Sequence, residues 1–230
     1  MVLKIVKTVW PVMLTYVAIA APCGMIMAQT GMEPWMVFAL SSTFVTGSGQ
    51  FMICNLWLAG VPAASIVASV AAISSRFALY SASIAPHLRG ASKRQTLAVA
   101  ATLTEEAYGI SLAKLIEGED WGPRESFVLN AILIATWAVS CTTGAIVGAV
   151  VDVPTAIAGF VCTSLFICLL FSQRLSRGNV VAAGLAAVSV AICKFWGWTN
   201  IAVPASVLVG VVTALACDVL AEGRGARDAR

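Results

Sequence analysis

Long apolar runs alternate with short polar joints along this chain. A membrane-crossing helix needs about 20 mostly apolar residues, and seven or eight stretches qualify. The first covers about 9–29, the second 35–59 after Gly31-Met32-Glu33-Pro34, and the third 62–86, which follows Gly60-Val61 and ends at Pro86. A more polar stretch, about 95–115, carries Glu105 and Glu106. Four more follow at 126–150, 153–172, 179–195 and 201–220, before a charged tail at 222–230. No connecting loop leaves room for a soluble domain. The pattern predicts an all-α fold: a polytopic membrane helix bundle of about seven or eight spans, a single transmembrane domain over residues 1–230.

Composition supports a lipid-facing surface. Of 230 residues, 60% are hydrophobic and 11% charged, against about 25% charged in soluble domains. Trp10, Trp35, Trp121, Trp196 and Trp198 lie near proposed span ends, where indole favours the interface. Trp57 is also near an end, whereas Trp137 is mid-span and reads as packing. The net charge of +3 and the lack of a basic cluster argue against a nucleic-acid partner. The seven cysteines lie in or beside apolar runs, with no CxxC or Cys/His spacing and His87 as the lone histidine. They read as small packing residues, and neither a metal nor a cofactor is expected. Lys4 and Lys7 before a run containing Ala18-Ile19-Ala20 resemble a signal peptide. That run stays apolar through Pro22 to about Ala28, so an uncleaved first span is the simpler reading. The positive-inside rule gives no single orientation. With eight simple crossings, Lys4, Lys7, Arg174 and Arg177 fall inside, while Arg89, Lys93 and Arg94 fall outside. A segment that enters and returns, or a seven-span count, removes the conflict.

Three places break the apolar pattern, and polar groups at membrane depth are tolerated only against protein or water. The first is Val45-Thr46-Gly47-Ser48-Gly49-Gln50-Phe51, inside the second stretch. Each glycine costs a helix about 1 kcal/mol relative to alanine. The segment reads either as a helix break, whose new N-terminus suits a carboxylate, or as close helix packing through small residues. Gly144 and Gly148 form a GxxxG that reads as packing. The second place is Ser74-Ser75-Arg76, followed by Tyr80, Ser81, Ser83 and Pro86. A mid-span arginine is usually paired or lines a cavity, which leaves a structural ion pair or contact with a substrate carboxylate. The third is Thr104-Glu105-Glu106 with Tyr108. Adjacent helical residues diverge by about 100°, so the two carboxylates face different ways. One can pair with Arg76, and the other can stay protonated in a dry site. The alternative is an interfacial helix with both glutamates in headgroup water. All three breaks lie in the first half, so a polar functional centre is expected within 45–110, built on one or more broken or re-entrant helices.

These same segments resemble the AzlC-like branched-chain amino-acid permeases, the large subunits of two-component exporters. Val45–Phe51 resembles the family's F-A-G-A-A-Q-F segment. Ser75-Arg76-Phe77-Ala78-Leu79-Tyr80 through Ala85-Pro86-His87-Leu88 resembles N-L-R-H-L-L-Y…S-L-A-P-Y-L. Leu103-Thr104-Glu105-Glu106-Ala107-Tyr108 resembles L-T-D-E-x-F/Y. The likeness covers roughly residues 8–115 by motif and the rest by hydropathy. It departs at Ser74 and Phe77, where the family has Asn and His beside the arginine, and at Glu105, where it has Asp. Ser48-Gly49 replaces an Ala-Ala pair. A proton relay through the family histidine is therefore closed to this chain.

The resemblance implies a multi-pass protein of the bacterial cytoplasmic (inner) membrane that exports branched-chain or similar apolar amino acids. It also implies proton coupling and a small AzlD-like membrane subunit as partner. Gly47, Ser48, Gly49, Gln50, Arg76 and Tyr80 are the expected substrate-binding residues. Glu105 and Glu106 are expected to meet the substrate ammonium or carry the proton. A channel using the same broken helix as a filter is the main alternative. A scaffold subunit fits the mid-span polar residues less well, and two adjacent glutamates are too little to specify an enzyme.

Overall fold

The computed structural model describes residues 1–88, 90–118, 121–150 and 177–197, with scattered positions between 160 and 213. Among these the regular elements are all helical: α1 (Val2–Gln29), α2 (Pro34–Thr43), α3 (Gly47–Leu58), α4 (Ala63–Ser74), α5 (Arg76–Ile84), a 3-10 turn (Ala85–Leu88), α6 (Lys93–Ala101), α7 (Glu105–Glu117), α8 (Pro123–Val150) and α9 (Arg177–Phe195). Among the described residues, three stretches are long and apolar enough to cross a membrane: Val2–Gln29, Ala63–Leu88 and Pro123–Val150. The chain is a helical membrane protein. The expected spans at 153–172 and 201–220 fall largely outside the described residues. Two compact units are present, Met1–Asn55 with Ser74–Cys162, and Leu56–Ile73 with Thr163–Arg230.

The first unit is organised by α1 and α8. On α1, Ile5, Val9, Tyr16, Ala20, Cys23 and Met27 are buried, a three-and-four spacing that forms one stripe. On α8 the matching stripe holds Ser126, Asn130, Leu133, Trp137, Cys141 and Gly144. The helices meet backbone to backbone. A Cβ on Gly24 would lie 1.8 Å from the Cys141 carbonyl oxygen, and one on Gly144 would lie 2.0 Å from that of Ala21. The GxxxG of α8 is thus a packing surface, with Gly148 set against the Met25 backbone. Besides α1, α8 packs against α2, α6 and α7. In the second unit α4 buries Ile66, Ser69 and Val70, and α9 buries Ala182 and Cys193.

Two of the expected stretches are each divided into two helices by residues outside the helical region, while 62–86 is divided more gently, into α4 and α5 at Ser75, which keeps helical dihedrals (φ −57°, ψ −25°). The 35–59 stretch becomes α2 and α3, parted at Phe44, whose φ of −103° and ψ of 89° leave the helical region. The 95–115 stretch becomes α6 and α7, parted at 102–104. Glu105 and Glu106 therefore open a helix instead of sitting mid-helix. The cause is local. Thr104 is extended (φ −101°, ψ 169°), and its hydroxyl accepts from the Ala107 amide at 3.1 Å. This N-cap and two acidic residues in the first turn favour a new start over continuation. Ser92 and Gln95 make a capping box at the head of α6, and Gly118, at φ 68°, ends α7 in the left-handed region.

Candidate functional site

Each broken pair restarts on a threonine. Thr46 Oγ1 accepts from the Gly49 amide at 3.2 Å, as Thr104 does for α7. The start of a helix presents amides without intrahelical partners and the positive end of its dipole. Arg76, at the head of α5, bridges the starts of α3 and α7. Its Nη2 donates to Ser48 Oγ at 2.6 Å and to Glu105 Oε1, forming an ion pair. Arg76 Nε is buried and has no partner among the described residues. The pair is not sealed, since the two side chains keep 25% and 27% of their exposure.

The second carboxylate faces elsewhere, as adjacent positions on a helix require. Glu106 Oε2 accepts from the Tyr16 phenol of α1 at 2.6 Å. Tyr16 also lies 3.2 Å from Thr104 Oγ1. One phenolic proton serves one acceptor at a time, and the shorter contact is to Glu106. The Tyr16 ring stands edge-on to Trp137, with centroids 5.2 Å apart.

The other expected site residues have distinct places. Gln50 is fully buried, at 0% exposure, and its side chain is occupied by the helix break. Its Nε2 donates to the Phe44 carbonyl at 2.6 Å, and its Oε1 accepts from Trp137 Nε1 at 2.9 Å and from Ser41 at 3.3 Å. Gln50 thus satisfies a carbonyl freed where α2 ends, as a backbone away from water requires. Gly47 and Gly49 serve close packing. A Cβ on Gly47 would lie 2.7 Å from the Trp137 ring, and one on Gly49 would lie 2.8 Å from Thr46 Cγ2. Both sequence readings of this segment hold together: it is a helix break, and it is closely packed. Tyr80, one turn beyond Arg76, stacks on Tyr108 with centroids 4.7 Å apart. Tyr108 in turn donates to Ser83 at 2.9 Å. The ion pair and the ring stack are successive rungs between α5 and α7, over an apolar base of Ile84, Leu88, Val99 and Leu103.

Three residues are part of this arrangement without a strong signal in the sequence. Tyr16, Asn130 and Trp137 are polar-tipped side chains in apolar runs, and their partners are distant in the chain. Asn130, at 0% exposure, donates to the Val99 carbonyl at 3.1 Å and to Thr102 Oγ1 at 3.0 Å. The available cue is their recurrence with buried neighbours on one helix face, that of α1 for Tyr16 and that of α8 for Asn130 and Trp137.

The model of the AzlC protein family matches residues 11–151. The chain belongs to the AzlC family. Every residue of the Arg76 arrangement, from Tyr16 to Trp137, lies inside the matched segment. Inner membrane protein YgaZ of Escherichia coli (strain K12) is 25% identical over 214 residues, spanning 88% of this chain and 83% of that protein. No solved structure matches the chain.

Proposed function

We propose that this AzlC-family chain is the large subunit of a secondary transporter in the bacterial inner membrane. It exports branched-chain or similar apolar amino acids, is coupled to protons, and works with a small AzlD-like membrane subunit. The observation that carries the reading is the partly open Arg76–Glu105 pair at the starts of two half-helices. A free amino acid bears one positive and one negative group on the same carbon, and the pair offers the complement of both. In the loaded state the substrate carboxylate takes the guanidinium, filling Nε and displacing Glu105, while the released Glu105 meets the ammonium group. Ser48 and the positive end of α3 add to carboxylate binding. The Tyr80–Tyr108 stack offers an apolar wall for the side chain. Glu106, which accepts a hydrogen bond from the Tyr16 phenol, is the group we assign to carry the proton.

The test is efflux of leucine, isoleucine, valine and methionine from dipeptide-loaded cells, with and without a co-expressed small AzlD-like membrane protein. Saturable efflux that needs both chains is expected. Conductance without saturation would favour a channel, and no efflux of the four despite insertion of both chains would remove the substrate assignment. The two carboxylates are then separable. Glu106→Gln is expected to flatten the pH dependence of efflux. Glu105→Gln is expected to raise the half-saturating concentration by ~10-fold or more, the effect of losing one charge-assisted hydrogen bond. Unchanged efflux and pH response in both variants would end the carboxylate roles.

A further inference from the structure

Asn130 and Trp137 are seven residues apart on α8, which returns them to one stripe about 10 Å apart along the axis. Each holds a different helix break. Trp137 grips the start of α3 twice, through its hydrogen bond to Gln50 and through its ring against Gly47. Asn130 grips the end of α6 and the joint to α7, through Val99 and Thr102. We infer that Asn130 and Trp137 are positioning residues that fix Ser48 and Glu105, the two partners of Arg76, at a set separation along α8. Farther along the same stripe, Gly144 locks α8 to the α1 backbone, so the gauge is anchored to the longest packed pair in the unit.

The orientation of the Asn130 amide supports this role over simple packing. Turning it over would set Oδ1 against the Val99 carbonyl, acceptor against acceptor. In the orientation present, both donors are used, and Oδ1 is buried with no partner among the described residues. An apolar residue would fill that place on α8 without leaving an orphaned acceptor. What the asparagine adds is a fixed grip on the α6–α7 joint. The same holds for the Trp137 N–H, which a phenylalanine would lack while filling the same volume.

The functional part of this inference rests on the transport reading, and its structural part is read without any substrate. Hydrogen–deuterium exchange would be followed on the full chain in lipid nanodiscs. Trp137→Phe is expected to speed exchange about fivefold within residues 44–50, the factor for one hydrogen bond lost, and to leave 100–106 unchanged, because a phenyl ring keeps the edge contact with Tyr16 through which Trp137 also neighbours Thr104 and Glu106. Asn130→Leu is expected to do the reverse. If an α8 variant fails to fold, Thr102→Val removes one of the two Asn130 bonds from the other side, and Gln50→Leu removes the Trp137 bond together with those to Phe44 and Ser41; each should speed exchange at its own break and leave the other unchanged. In efflux, Trp137→Phe is expected to raise the half-saturating concentration about fivefold with the maximal rate held within about twofold, the signature of displaced binding groups. Acceleration of both breaks together, or of neither, would overturn the separate grips. A fall in maximal rate alone would overturn positioning. Absence of transport by the unaltered chain would count against the transport reading, and the exchange pattern would stand independently of it.

Discussion

Replacing Arg76 with leucine is expected to lower saturable efflux about a hundredfold or more, the effect of removing one member of a hydrogen-bonded charge pair. It is also expected to destabilise the protein, because Glu105 would be left without its cation. Fully buried pairs lose roughly 3–5 kcal/mol in this way. About a quarter of each side chain is exposed here, so ~2 kcal/mol is the reasonable scale. The informative partner is Arg76→Leu with Glu105→Leu. Removing both charges together leaves no orphan, so thermal stability should return to that of the parent chain or exceed it. Efflux should not return, because neither end of the amino acid has a partner. Thermal unfolding and efflux on the same three proteins read the two effects apart. A double variant that recovered transport would show the pair to be structural, and the site would have to be sought elsewhere.

The second large effect is expected at the crossing of α1 and α8. Gly144→Ala would put a methyl group 2.0 Å from the Ala21 carbonyl oxygen, and a backbone atom cannot swing aside as a side chain can. The helices must part, at a cost of ~3 kcal/mol by the usual scale of overpacking, or a fall in Tm of about 10 °C for a chain of this size. Gly24→Ala meets the Cys141 carbonyl at 1.8 Å and should do the same. Gly184→Ala on α9 is the control, since nothing lies within 4 Å of its added Cβ. It should hold or slightly raise the Tm, alanine being the better helix former. Equal melting of all three variants would show that the crossing is not closely packed in the membrane.

The parts of this arrangement that the sequence discloses are those where a local rule is broken. Two glycines among Thr46, Ser48 and Gln50 mark the α2–α3 break because helix propensity is a local quantity. Arg76 declares itself because a charge in an apolar run demands a partner. The divergence of adjacent helical residues foretells that Glu105 and Glu106 face different ways, and they do, one to Arg76 and the other to Tyr16. The α6–α7 break carries a weaker mark, with no glycine or proline between 100 and 108. Its signal is Thr104 ahead of two acidic residues, a helix start that the surrounding apolar pattern overlays. Gln50 was legible as a polar intrusion but not in its direction, which depends on Trp137, 87 positions away. Tyr16 and Asn130 are hidden for the same reason. A tyrosine or asparagine in an apolar helix has no local partner to betray its task, and its role exists only once distant helices are packed.

The contact of Gly24 with α8 also sets the order in which the protein can be assembled. α1 is made before α8, and the surface that fits Gly24 is at Cys141, roughly 120 residues later in the chain. At ~5–20 residues per second, synthesis brings that surface out about 6–24 s after Gly24. Throughout that interval the notch at Gly24 faces lipid or the insertion machinery, and the phenol of Tyr16 waits for a carboxylate not yet in place. Each half-helix can form as soon as it is inserted, but the gauge that spaces them arrives last. The timing of the site is thus governed by chain length, and a ribosome stalled before Trp137 would leave a set of good helices with no register between them.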